Sequence, residues 1–175
     1  MRILIIAVLT ISALSVVHHA PKKSSGTQDI DSLHLSPKAK KAAEQLLREY
    51  PHIVFTSGRR DLAQQARAMA GNIVLKRDYI KKTYAANDAS RACQQWVDDH
   101  PEAKTQKQIA AGLLATFKKL GPKAGQISKH LTGDAFDVQP VKQNADAIKK
   151  SIRKLPGVKK FLEKEAGLER WHVQF

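Results

Sequence analysis

Ser128-Lys129-His130-Leu131-Thr132-Gly133-Asp134-Ala135-Phe136-Asp137 sets an imidazole and a carboxylate seven residues apart across a turn that holds a glycine. Gly133 has no Cβ, so the chain can turn sharply and bring His130 back toward the segment carrying Asp137. Residues 135–138 read as a strand, with Phe136 and Val138 on one face and Asp137 on the other. This spacing alone is weak evidence, since many loops contain it by chance. The end of the chain strengthens it with a second histidine and a carboxylate three positions earlier, in Glu169-Arg170-Trp171-His172. Two imidazoles and an aspartate can hold a zinc ion while leaving a fourth position for water, and a free glutamate can serve that water as a base. His172 taken singly would be a packed side chain between Trp171 and Val173; the four groups together point to a metallohydrolase.

Positions three apart on a regular strand face opposite ways, so Glu169 is expected before the last strand, in a turn or bulge begun by Gly167. That strand is residues 171–175. Upstream, Ser36-Pro37 can start a helix whose Ala39, Ala42, Ala43, Leu46, Leu47 and Tyr50 share a face. Pro51 ends it, residues 52–56 read as a short strand, and Ser57-Gly58 is a turn before Arg60. Residues 61–70 are expected to be helical, as is the stretch carrying Ala89, Ala92, Cys93, Trp96 and Val97, where Cys93 reads as a small buried hydrophobe. Thr105-Gln106-Lys107-Gln108 resembles a capping box for a helix ended by Gly121-Pro122. Residues 143–165 are expected to be helical with a break at Pro156-Gly157. The fold class is therefore α+β, a small antiparallel sheet carrying the site and packed against several helices.

At 175 residues and 42% apolar content the chain is long enough for one domain with a real core. Residues 3–17 form an apolar run behind Met1-Arg2, shorter than the roughly 20 residues of a spanning helix. Residues 1–20 thus read as a signal peptide or an uncleaved membrane anchor, 21–35 as a polar tether and 36–175 as the catalytic domain. The expected location is exported, periplasmic or secreted, with anchoring through residues 3–17 as the alternative to cleavage. A single cysteine cannot form an internal disulfide and says nothing of compartment. The formal charge of +14 implies attraction to anionic polymers. Nucleic acid is disfavoured among these by the leader and by the scarcity of aromatics among the lysines; anionic wall polymer or lipid is favoured.

Ser57-Gly58-Arg59-Arg60, then Ser-x-His-x-x-Gly-x-Ala-x-Asp at 128–137, then Glu-x-x-His at 169–172 resembles the zinc peptidoglycan peptidases of the VanX and VanY type, including phage L-alanyl-D-glutamate endolysins. The resemblance covers about residues 37–175. It implies a Hedgehog/D-Ala-D-Ala-peptidase-like fold, one zinc ion bound by His130, Asp137 and His172, and Glu169 as catalytic base. It also makes Arg60 the cation facing the substrate carbonyl or oxyanion and Ser128 a substrate-binding residue, and Gln64 matches a glutamine of the same motif that either contacts substrate or hydrogen-bonds within the site floor. The implied substrate is the peptidoglycan stem peptide or cross-link, and the implied partners are secretion machinery or a phage-lysis system. The chain departs from the pattern in having Arg59 where an aromatic is common, and in a long helical connection between Arg60 and His130. A non-catalytic wall-binding module on the same fold is the alternative.

Overall fold

The computed structural model describes residues 29–175, apart from Ala166 and the side chain of Leu168. The expected leader, residues 1–20, and most of the expected tether lie outside the described residues. Among those described, no helix is long and apolar enough to cross a membrane.

The architecture is α+β, with four antiparallel strands in the order β1-β2-β4-β3: β1 Phe55–Ser57, β2 Ala135–Val138, β3 Lys160–Glu165 and β4 Leu168–Gln174. Helices α1 (Pro37–Glu49) and α6 (Ala145–Lys154) cover one face. Ala39, Ala42, Ala43, Leu46 and Leu47 of α1 fall on one side because they recur at helical spacing, and they pack with Ile148 and Ile152 against Phe136, Val138, Trp171 and Val173. Strand alternation then sends Asp137 and His172 to the other face, where they stand opposite each other in the β2–β4 register.

That second face looks toward a separate helical core. It is built by α2 (Leu62–Leu75), α3 (Tyr79–Thr83), α4 (Asp88–Asp99) and α5 (Gln106–Leu120), around Met69, Ile73, Cys93, Leu113 and Phe117. The capping box at Thr105 forms as the sequence predicts, and Asp61 and Asn87 cap α2 and α4 in the same way. Cys93 is fully buried, and burial pushes its thiol up to about 12, so it is an inert core side chain.

The structure corrects two expectations. Residues 160–165 are strand, not helix. Their Lys, Glu and Leu content favours a helix by propensity, but pairing with β4 prevails: Phe161 lies under the Arg153 guanidinium and Glu163 pairs with Lys149 and Arg153 of α6. The folded domain also begins before Ser36. Ile30 is buried, Leu33 and Leu35 pack on the same core, and the strap docks through Arg59 N–H to Leu33 O and Ser36 N–H to Gly133 O.

Candidate metal centre

Four short segments converge on one point. β1 leads into Gly58 and Arg60, a 3-10 turn at Lys129–Thr132 carries His130, β2 carries Asp137, and β4 carries His172. Gly133 ends the 3-10 turn with φ 76°, the left-handed conformation expected of a glycine at a sharp reversal. Gly58 is required for another reason: a Cβ there would lie 2.3 Å from Leu33 O of the strap.

His130 and His172 are buried, with side chains 2% and 7% exposed. The Nδ1–H of His130 donates to Gly58 O at 2.6 Å, which fixes its tautomer and leaves Nε2 as a lone pair. That Nε2 stands 3.2 Å from His172 Nδ1 and 3.3 Å from Asp137 Oδ2, and His172 Nδ1 is 2.7 Å from Asp137 Oδ1. One donor atom from each residue lies within 4.8 Å of the others, a group that could hold a metal ion. Two imidazole nitrogens bound tetrahedrally at the usual zinc distance would be separated by about 3.3 Å, so the observed spacing suits a small cation between them. The Gln174 amide lies 2.9 Å from His172 Nε2 and orients that ring from behind.

Burial disfavours the charged form of His130 and lowers its pKa despite the nearby Asp137. Burial acts on Asp137 in the opposite sense, but its close polar contacts with His130 and His172 overcome it and hold the carboxyl well below the usual carboxylate range. A neutral His130 beside an ionised Asp137 is the pairing of protonation states that metal binding requires.

Of the two adjacent arginines, Arg60 faces the site. Its Nη2 donates to Asp137 Oδ2 at 2.6 Å and its Nη1 to Gln65 Oε1 at 3.3 Å. Arg59 is exposed and meets the strap through its backbone. The glutamine of the site floor is Gln65 rather than the expected Gln64. Gln65 is fully buried and passes its amide N–H on to Tyr84 Oη at 3.3 Å. Gln64 is exposed, and its side chain accepts from Asp61 N–H in the α2 capping box. The Asp-x-x-Gln spacing at 61–64 is a capping signal and could have been read as one. Ser128 lines the cavity and caps the turn by accepting from His130 N–H at 3.3 Å.

Glu169 lies within β4, not before it. A bulge between Leu162 and Lys164 inserts an extra β4 residue between the pairs Leu162↔His172 and Lys164↔Glu169. The bulge does not bring the two side chains together: Arg170, His172 and Gln174 line the cavity, so alternation leaves Glu169 on the other face, where it acts on Lys149 of α6. Glu169 is exposed and outside the cavity wall, while Glu165 of the same hairpin lines the cavity and accepts from Tyr79 Oη at 3.2 Å. Tyr79 and Tyr84 come from the α3 region of the long connection, where no spacing in the sequence singles them out.

The donor cluster opens into a cavity of about 690 Å³ between the sheet and the helical core. Compared with known proteins, the chain matches no family model, no curated protein and no solved structure.

Proposed function

We propose that the chain is a zinc-dependent peptidase, built on the VanX/VanY-type fold, that cuts a peptide bond in cell-wall stem peptides or cross-links. The observation that carries this reading is the convergence of His130 Nε2, His172 Nδ1 and an Asp137 oxygen at the floor of a cavity large enough for a peptide. Zinc, when bound by these three atoms, would polarise the scissile carbonyl and make water acidic enough to be a nucleophile near neutral pH. Gly58 O and Gln174 hold the two imidazoles in place, and Arg60 pairs with Asp137 while its remaining N–H donors are available to a developing oxyanion. A carboxylate of the hairpin β3–β4 takes the proton from water and returns it to the leaving amine: Glu169 by its spacing to His172, or Glu165, which lines the cavity. An exported location, where peptidoglycan is met, goes with this reading.

A non-catalytic wall-binding module is the second reading, and the exposed position of Glu169 outside the cavity favours it. Mass spectrometry of muropeptides after incubation with the zinc-loaded protein decides between them, since released masses identify the bond cut. Glu169→Gln is expected to keep zinc and lose turnover by roughly 100-fold. If Glu165→Gln carries the loss instead, the base is Glu165; if wild-type protein releases nothing from sacculi or muropeptides, the peptidase reading is abandoned for the binding module.

A further inference from the structure

The cavity wall carries a charge imbalance that the metal centre does not use. Arg60, Arg67, Lys129, Lys160 and Arg170 line it, against two carboxylates, Asp137 and Glu165. Asp137 is held by Arg60, and Glu165 accepts from Tyr79. Among the described residues the other four cations form no ion pair, and residues 1–28 contain no Asp or Glu that could reach them.

These four cations come from four elements, and each is near a residue that builds the donor cluster. Lys129 adjoins His130 in the 3-10 turn, and Arg170 precedes His172 by two residues on β4. Lys160 stands opposite Gln174, the residue that orients His172. Arg67 follows the buried Gln65 by two residues on α2. All four are exposed, so their charge is presented to whatever enters the cavity. Cations that outnumber the carboxylates around a concave site repel one another and focus a positive potential into it, which an anionic ligand relieves. A carboxylate suits this rim best, because an Arg fork binds both its oxygens while a carboxamide in the same place gains no charge-assisted bond.

We propose that the rim formed by Arg67, Lys129, Lys160 and Arg170 selects peptides that carry free carboxylates over the same peptides in amidated form. The inference rests on the reading of the cavity as a peptide site. It assigns specificity to residues separate from the metal ligands and Arg60.

The test uses two synthetic stem pentapeptides, one with free carboxylates on its glutamyl and diamino-acid residues and one with both amidated. Binding to the full zinc-loaded chain is measured by calorimetry at low salt, with peptide integrity checked afterwards by mass spectrometry. The free-acid peptide is expected to bind at least about tenfold more tightly, the scale of one charge-assisted hydrogen bond. Arg170→Gln and Lys160→Gln should each reduce that preference by about threefold or more and leave the affinity for the amidated peptide unchanged, which also shows that the variants are folded. Equal affinity for the two peptides, or a preference that survives replacement of all four cations by Gln, overturns the proposal. A carboxylate preference with neither peptide cleaved upholds the rim and removes the peptidase; equal binding with both cleaved does the reverse.

Discussion

His130 is held on one side by Gly58 O and offers its other nitrogen to His172 and Asp137, so its ring cannot turn away without stranding a buried donor. His130→Ala, Asp137→Ala and His172→Ala are each expected to weaken zinc binding by at least about tenfold, because a three-ligand centre that loses one ligand loses affinity and geometry together. Elemental analysis after dialysis measures this, and full zinc content in any variant removes that residue from the ligand set. Protonation should act in the same direction. The His130 pKa is depressed in the folded chain, so below about 6.5 the unfolded state binds the proton first and stability falls with falling pH. Asp137 is also depressed, and its contribution, present above about 3.9, is lost as acid protonates it. The thermal midpoint of the metal-free protein should therefore drop in two stages on acidification, the upper stage disappearing in His130→Gln. These residues were legible because metal chemistry restricts both ligand type and spacing. The glutamine was misplaced by one position because Gln64 and Gln65 are adjacent on one helix, and only packing decides which points inward.

The elements were legible where one signal dominated. α1, α4 and α5 follow from apolar spacing, α5 also from its capping box, and β2 from its alternation. β3 was not, because Lys160 to Glu165 has helix-forming residues and becomes a strand only through the partner that β4 provides. In the long connection a single side chain ties several elements: Arg77 donates to Val97 O, His100 O and Ala103 O at the end of α4. It satisfies carbonyls that the helix end leaves without partners. Arg77→Met should cost about 2 kcal/mol of unfolding free energy, the scale for losing charged hydrogen bonds that leave acceptors unpaired. Urea titration reads it; an unchanged midpoint would mean that water replaces the guanidinium at no cost.

At the scale of the whole molecule, the centre lies in the seam between two cores, one under the sheet and one among α2 to α5. Neither core was placed relative to the other by the sequence, since helical periodicity gives the buried face of an element but not what covers it. The net charge of +14 belongs to the same scale. If it recruits the protein to anionic wall polymer, digestion of whole sacculi should fall steeply as salt rises from about 0.01 to 0.3 M, while cleavage of a short soluble muropeptide falls much less. Equal salt sensitivity for both would assign the charge to solubility or another partner.

The docked segment around Ile30 and Leu33 gives the seam an outside brace. It touches Arg59, Gly58 and Gly133, the backbone neighbours of the residues that present Arg60 and His130, yet supplies no ligand itself. A chain shortened to begin at Pro37 would keep every donor atom and lose what holds two of the loops in register. The ligands would then have to be ordered by the metal itself, and part of the binding free energy would go into that ordering. Such a protein should retain its helices by circular dichroism but release zinc to a chelator faster than the longer chain. Equal release rates would mean that the loops are rigid unaided. The brace therefore makes metal retention a property that can be tuned from the amino-terminal side, at a distance from every ligand.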